Sequence, residues 1–305
     1  MDSSTARVPR EILDELWTLR ERFVATRYIW IPGAHMAEIC RALGATEEDF
    51  ESSRTVSDTL KTDPTLPFRR SKNGRFIYDF DREQIRRLEF QPFLLSVEED
   101  FVRLDSGMTR EFEEVGEDLQ QNSVLHALFR FQALMFHGVE HKHRSKLDYD
   151  TNNWICTLFN LRTVTQCDIL GEPALEGVHS DGVDVTMTTL LGHTNMTDDS
   201  AVTFLHTLDE VNGTRWNATN PKYSLGQVQH KEFLDTLLIF DHERKHSLSP
   251  VWAVDESKPA LRDMLIFFTR KPVIKGHPTY PYDSLNDHEV MPKTVKMKLI
   301  DGGGF

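Results

Sequence analysis

Three stretches in the first half of the chain carry apolar residues at helical spacing. Pro9 suits the first turn of a helix, and a second helical stretch covers roughly 34–45. A third runs from Thr109, which is suited to an N-cap, to about Phe136. The stretch after Pro9 has four apolar residues three or four positions apart, namely Ile12, Leu16, Leu19 and Phe23. The pattern therefore predicts a helical N-terminal half.

From about residue 154 onward the pattern changes to short apolar runs separated by turn residues. The runs read WICTLFNLRTV, VDVTMTTLLG, AVTFLHTL, TLLIF and MLIFFTR. Short β-rich runs at this spacing are typical of the strands of a sandwich or barrel. We therefore predict an α+β protein in which the helical N-terminal half packs around a C-terminal β-core.

Composition and charge narrow the choice of partner and compartment. The 305 residues are 39% hydrophobic and 27% charged, as in an ordinary globular protein, and the net charge is −13. This excess of acid argues against nucleic acid and anionic membranes, which need a basic face. The three cysteines form no C-x-x-C pair, and the N-terminal MDSSTARVPREILDEL lacks the apolar region of a secretory signal. No apolar run approaches the roughly 20 residues that span a bilayer, so we expect a cytoplasmic location.

Residues 242–246, His-Glu-Arg-Lys-His, match the H-E-x-x-H signature of zinc proteases, in which one helix presents two histidines to the metal. The surroundings disfavour a helix. The preceding run LDTLLIF has the length of a strand, and Pro250 would stop a helix one turn after His246. The third ligand of the longer zinc signature is also missing. We predict instead a polar turn from Asp241 to Lys245, followed by a strand that begins near His246.

A second metal-binding pattern is the pair His179 and Asp181, which stands between two glycines ahead of a β-run. In an extended segment, residues two apart project from the same face, so both side chains can reach one metal. With His246 as a distant second imidazole, they would form the 2-His-1-carboxylate triad of non-haem Fe(II) oxygenases. Such a pair alone is weak evidence, because His230 and Glu232 form another in this chain.

The strand-like run RDMLIFFTR supplies a further charged group. Arg262 stands at its head, sixteen residues after His246, and an arginine fork suits a carboxylate held at a fixed distance from a metal. Alternation places five residues on one face, namely Arg262, Met264, Ile266, Phe268 and Arg270. An arginine on a core-facing position is costly without an anion. We therefore expect at least one of the two arginines to bind an anion, with a strand-end arginine that reaches water as the alternative.

The ordered set E-G-x-H-x-D-G, H-x-x-S-P-V and R-D-M-L-I resembles the 2-oxoglutarate-Fe dioxygenase family that includes bacterial L-isoleucine hydroxylase. In this chain the motifs occupy 176–182, 246–251 and 262–266, and the resemblance covers roughly 155–270. It implies a double-stranded β-helix (jelly-roll) core and an enzyme that uses Fe(II), 2-oxoglutarate and O2 to oxidise a C–H bond of a free amino acid.

The resemblance also implies roles for individual residues. His179, Asp181 and His246 resemble the iron ligands of the family, which would be the catalytic centre, and Arg262 resembles the residue that holds the distal carboxylate of 2-oxoglutarate. Together with the run pattern, it divides the chain into three segments. These are a mainly helical region at 1–150, the catalytic jelly roll at 151–275 and a C-terminal extension at 276–305.

The substrate is less well defined, because this chain departs from the family pattern at two places. In the family, a basic residue commonly separates the histidine and the aspartate, and a glycine-rich segment follows. This chain has Ser180 in place of the basic residue and NMTDDSAVT in place of the glycine-rich segment. We expect a free aliphatic L-amino acid of valine, leucine or isoleucine size, oxidised by hydroxylation, by desaturation or by aziridine ring closure as in fungal relatives. Arg162, in the strand-like NLRTV, is a candidate for the substrate carboxylate, with a structural salt bridge as the alternative.

Two other functions fit a jelly roll. A cupin-like isomerase or dioxygenase that does not use 2-oxoglutarate would want further metal ligands and no arginine clamp, so Arg262 discriminates against it. A non-catalytic binding module would show no oxygen-dependent turnover of 2-oxoglutarate. The sequence makes no prediction of the oligomeric state.

Overall fold

The structure, a computed structural model, describes residues 8–99 and 106–297. Within these residues the α-helices are α1 (Arg10–Thr26), α2 (Gly33–Ala42), α3 (Glu47–Ser53), α4 (Glu117–Gln120) and α5 (Ser123–Phe136). The strands are β1 (Tyr28–Ile31), β2 (Arg69–Asp79), β3 (Gln84–Leu88), β4 (Glu113–Glu114), β5 (Asn153–Thr165), β6 (Val185–Thr194), β7 (Val202–His206), β8 (Ser224–Gln229), β9 (Thr236–Phe240), β10 (Lys245–Leu248), β11 (Ala260–Arg270) and β12 (Thr294–Lys296). The predicted α+β class is confirmed.

The first two predicted helices lie where the apolar pattern indicates. Helix α1 begins directly after Pro9 and buries Leu16, Leu19 and Phe23 on one side. Helix α2 covers Gly33–Ala42, close to the predicted second stretch. In both cases the apolar stripe faces the main core, which explains why helical spacing located them.

The third predicted helix is shorter than the sequence suggests, and its predicted start at Thr109 is wrong. Helix α5 begins at Ser123, where the side chain of Asn122 accepts a hydrogen bond from the Val124 amide at 2.8 Å. Asparagine is among the best N-cap residues, whereas Gly116 inside a continuous helix would be unfavourable. The residues before Gly116 instead form β4, which pairs in parallel with β2.

Two β-sheets make up the core. The larger sheet has the order β1-β9-β6-β11-β5-β2-β3-β12, with β4 added beside β2, and its other neighbouring strands run antiparallel. The smaller sheet has the order β10-β7-β8. Residues of both sheets line one cavity, so the sheets face each other as in a jelly roll.

The larger sheet separates the helices from this cavity, and strand β11 illustrates how. Leu265 and Phe267 project to the helical side, where the Phe267 ring lies 5.4 Å from that of Phe129 in α5. The alternate residues Met264, Ile266 and Phe268 project into the cavity. The period of two thus assigns one face of the strand to the core and the other to a ligand.

The larger sheet takes strands from all three segments predicted from the sequence, since β1 to β4 precede residue 151 and β12 follows residue 275. The segment boundaries therefore fall within one continuous structure, and the domain division stays a prediction. Among the described residues, no helix has both the length and the apolar character needed to cross a membrane. The cytoplasmic location also stays a prediction.

Candidate active site

Three buried side chains from two segments meet at one end of the cavity. His179 exchanges two backbone hydrogen bonds of 3.0 Å with His246 on β10, and their ring centroids lie 4.3 Å apart. Asp181 Oδ1 lies 3.3 Å from His179 Nε2, and Asp181 Oδ2 lies 3.8 Å from His246 Nε2. The three donor atoms lie within 4.8 Å of one another. The structure therefore brings together the three residues that the sequence selected as metal ligands.

The local backbone fixes how His179 presents its ring. His179 Nδ1 lies 2.8 Å from the Gly177 carbonyl oxygen, and a donated hydrogen bond there leaves the Nε2 lone pair for a metal. Gly177 has φ +77°, and a Cβ at this position would lie 2.6 Å from the Thr214 carbonyl oxygen. Only glycine fits this turn, so the glycine before the His-x-Asp pair is part of the site's construction.

Asp241 holds the turn that follows Asp181. Its fully buried carboxylate accepts hydrogen bonds from the amides of Asp181, at 2.7 Å, and Gly182, at 3.0 Å. Arg144 Nη2 lies 2.9 Å from the same carboxylate. The sequence analysis treated Asp241 only as the start of a polar turn. An acid directly after the apolar strand TLLIF was the signal available, but its partner sixty residues earlier was not visible.

Two carboxylates determine the electrostatics around His179. Burial tends to lower the pKa of the His179 imidazole, but Glu176 and Asp181 outweigh it and raise this pKa to about 10. Burial lowers the pKa of His246 to about 4, because the opposing effects of Asp181 and Glu176 do not outweigh it and the charge of His179 lowers this pKa further. The His179 side of the site is thus strongly electronegative, and a metal cation would take the place of the proton on Nε2.

The same cavity holds a buried arginine. Arg262 is 4% exposed, and among the described residues its Nε has no hydrogen-bond partner and no carboxylate pairs with it. Burial lowers the pKa of its guanidinium to about 10, so the group stays charged at neutral pH. His230 lies 3.1 Å from the Thr188 hydroxyl in the same cavity. Burial, helped by the charge of Arg262, lowers the pKa of His230 to about 3, so this ring is neutral.

The remaining walls of the cavity are mostly apolar. The cavity has a volume of about 110 Å³, of the order of the roughly 150 Å³ apolar cavity that holds benzene. Two more arginines, Arg69 and Arg110, line it besides Arg262. The principal apolar residues are Phe93, Phe159, Leu161, Leu237, Ile239, Met264, Ile266 and Phe268. These dimensions suit a small molecule with a hydrocarbon part.

Two predicted or considered residues do not reach the cavity. Arg162 makes a bidentate ion pair with Asp263, at 2.6 and 2.7 Å, and a third contact with Asp58 at 2.9 Å. The salt-bridge alternative for Arg162 is therefore the one that the structure contains. Arg270 pairs with Asp283 at 3.0 Å instead of lining the cavity.

The H-E-x-x-H motif does not form a zinc helix. A turn follows β9, and β10 begins at Lys245, as predicted. His246 lies in the cavity, whereas His242 lines a separate depression together with Glu99 and His277. The zinc-protease interpretation is therefore wrong, and only one histidine of the motif belongs to the site.

Comparison with known proteins adds an independent line of evidence. The family model of the 2OG-Fe dioxygenases matches residues 54–268. The bifunctional enzyme flvA of Aspergillus flavus is 44% identical over 281 residues, which are 92% of this chain and 34% of flvA. The chain thus spans about a third of the length of that curated relative.

Solved structures agree with this match. The Fe(II)/α-ketoglutarate-dependent dioxygenase TqaL is 46% identical, with a TM-score of 0.82 over 94% of this chain and 97% of that one. A bsmA homologue from Methylobium petroleophilum is 19% identical, with a TM-score of 0.67 over 84% of this chain and 93% of that one. At that identity the second likeness concerns the fold alone.

Proposed function

This chain belongs to the 2OG-Fe dioxygenase family, and from that premise we propose that it oxidises the side chain of a free aliphatic L-amino acid. Enzymes of the family use Fe(II), 2-oxoglutarate and dioxygen, and the chain is accordingly an oxidoreductase. When bound, the iron with these co-substrates supplies the oxidising power needed to attack an unactivated C–H bond. The residues of the chain bind and orient the reactants.

The ligands that we assign to Fe(II) are His179, Asp181 and His246. The observation that carries this assignment is their convergence, with three donor atoms within 4.8 Å of one another. Two imidazoles and one carboxylate are the donor set of non-haem Fe(II) oxygenases, and they leave three positions for co-substrates. The hydrogen bond from His179 to Gly177 orients one imidazole, as is usual for metal-bound histidines.

Arg262 is the residue that we assign to the distal carboxylate of 2-oxoglutarate. A buried guanidinium without an anion is unfavourable, and a dicarboxylate that reaches from the metal would supply the missing partner. The neutral His230 and the Thr188 hydroxyl add polar groups in the same cavity. A cupin-like enzyme without 2-oxoglutarate and a non-catalytic module would both leave Arg262 unexplained.

The cavity supports a substrate with a branched hydrocarbon side chain. Met264, Ile266 and Phe268 form an apolar wall on β11 in the cavity that the iron ligands also line. An apolar pocket distinguishes one methylene by only about 1–3 kcal/mol. We therefore expect several related amino acids to react at different rates.

Arg69 replaces Arg162 as our candidate for the substrate carboxylate. It lines the cavity, and its Nε lies 2.8 Å from Asp63 Oδ2. Asp63 also accepts hydrogen bonds from the amides of Thr65, at 2.8 Å, and Leu66, at 3.1 Å. The buried Asp63 carboxylate therefore holds the Arg69 guanidinium in place and leaves its terminal NH2 groups for a ligand.

A succinate-release assay with Fe(II), ascorbate, 2-oxoglutarate and a panel of free amino acids tests the proposal. Valine, leucine or isoleucine should raise succinate release above the background without substrate. Mass spectrometry then identifies the product, since hydroxylation adds about 16 Da, and desaturation or ring closure removes about 2 Da. If only a peptide or a non-amino-acid compound stimulates the reaction, the proposed substrate class is wrong even though the iron chemistry is right.

A further inference from the structure

One carboxylate in the cavity has no role in the functions described so far. Glu176 lies three residues before His179, and its side chain is 8% exposed. Its Oε1 atom lies 3.5 Å from His179 Nε2, and its Oε2 atom is buried with no hydrogen-bond partner among the described residues. A buried carboxylate oxygen without a partner is costly, and such an oxygen in a cavity points to a ligand.

The geometry separates Glu176 from the metal ligands. The group whose donor atoms lie within 4.8 Å of one another consists of His179, Asp181 and His246 and does not include Glu176. A fourth protein ligand would also occupy one of the three positions that 2-oxoglutarate and dioxygen require. Glu176 is therefore a carboxylate that stands beside the metal site without belonging to it.

The charges of the loaded site leave Glu176 in need of a cation. Among the described residues its one ion-pair contact is to His179 Nε2, the atom that would coordinate the iron and so could not also donate a hydrogen bond. Arg262 is assigned to 2-oxoglutarate and Arg69 to the substrate carboxylate, and Glu176 forms no ion pair with either of them or with Arg110 among the described residues. A primary ammonium group would supply one positive charge and three N–H donors in this position.

We propose that Glu176 binds the α-ammonium group of the substrate, an inference that rests on the proposed function. Glu176 and Arg69 line the same cavity, so the amino acid would be held at both its charged groups. Two-point binding of this kind fixes the orientation of the α-carbon and directs the side chain between the apolar walls. It also makes the enzyme reject compounds that lack the amino group, because Glu176 would then stay buried without a partner.

The test compares L-valine with 3-methylbutanoate, which is valine without its amino group. Both are titrated into the protein loaded with Fe(II) and 2-oxoglutarate in the absence of oxygen, and dissociation constants are measured by calorimetry. Wild-type protein should bind valine at least tenfold more tightly than 3-methylbutanoate. In Glu176→Gln, which keeps the shape and removes the charge, the constant for valine should rise at least tenfold and that for 3-methylbutanoate should stay within twofold.

A matched variant and two further measurements define the control. Glu172→Gln changes the same residue type in the same segment, but Glu172 pairs with Arg215 at 2.8 Å outside the cavity. This variant should bind valine as the wild type does. Glu176→Gln should also retain its iron and its affinity for 2-oxoglutarate.

Three results would overturn the inference. Glu176→Gln could bind valine normally, could lose valine and 3-methylbutanoate to the same extent, or could lose iron, which would make Glu176 part of the metal site. A failure of the proposed function has a different signature. In that case wild-type protein binds iron and 2-oxoglutarate but none of the aliphatic amino acids, and the assignment of Glu176 falls with the substrate class.

Discussion

Replacement of Arg262 by alanine should weaken 2-oxoglutarate binding far more than any other property of the protein. The guanidinium is 4% exposed, stays charged at neutral pH and has no carboxylate partner among the described residues. Removal of one partner of a buried charge pair costs about 2–5 kcal/mol of binding free energy. This loss corresponds to a rise in the Kd of 2-oxoglutarate of roughly 30-fold to a few thousand-fold. Calorimetric titration of 2-oxoglutarate into Fe(II)-loaded protein without oxygen measures this change.

Arg270→Ala is the matched control for this experiment. Arg270 lies on the same strand and its side chain is only 14% exposed, but it pairs with Asp283 at 3.0 Å. Its loss should lower the stability of the fold and leave the Kd for 2-oxoglutarate within about twofold, since it makes no contact in the cavity. An unchanged Kd in Arg262→Ala together with a large rise in Arg270→Ala would refute the reasoning.

Thermal unfolding supplies a second readout of the same variant. Because no carboxylate of the described residues pairs with Arg262, Arg262→Ala should not lower the melting temperature of the protein without 2-oxoglutarate. A ligand at 100 times its Kd stabilises the native state by about 2.7 kcal/mol. Wild-type protein should therefore gain this stability with 2-oxoglutarate, and Arg262→Ala at the same concentration should gain little.

Three further substitutions separate binding from structure. Arg69→Ala should raise the Kd of the amino acid at least about tenfold without changing that of 2-oxoglutarate, because of the two ligands only the amino acid loses an ion pair; equal effects on both would contradict this. Asp241→Asn should weaken Fe(II) binding by about 10–100-fold in a chelator competition, because Asp241 holds the turn at Asp181; unchanged affinity would exclude this role. Arg162→Ala should lower the free energy of unfolding in urea by about 1–3 kcal/mol and leave both ligands' Kd values unchanged, since Asp263 is left buried and unpaired.

The parts of the site that lie on strands could be predicted because alternation is a local property. His179 and Asp181 are two residues apart, and this spacing places both side chains on one face wherever the segment lies in the fold. The same argument placed Arg262, Met264, Ile266, Phe268 and Arg270 on one face. The first four line the cavity, whereas Arg270 pairs with Asp283.

Arg162 shows where alternation alone is insufficient. On β5, Phe159 and Leu161 face the cavity, so Arg162 faces the other side of the sheet. There it stands directly opposite Asp263 in the antiparallel register, and the two charges pair. Apolar residues occupy both alternating faces of the run WICTLFNLRTV, so the sequence did not indicate which face lines the cavity, and the register between β5 and β11 could not be read from it.

The remaining site residues depend on contacts between distant segments. Asp241 reaches the amide of Asp181, sixty residues earlier, and Arg69 reaches the cavity because β2 pairs with β5. The start of α5 was missed for a different reason. An apolar pattern continued upstream of Asn122, and the hydrogen bond that makes Asn122 the cap outweighed it.

The central claim is that His179, Asp181 and His246 bind one Fe(II), and the iron content of alanine variants tests it most directly. Each variant is loaded with Fe(II) without oxygen, desalted and analysed for bound iron per chain, with circular dichroism to verify folding. We predict that replacement of any of the three residues removes the iron, whereas His242→Ala, on the other histidine of the H-E-x-x-H motif, keeps it. Loss of iron in His242→Ala with retention in His179→Ala would contradict the account and restore the zinc-type helix.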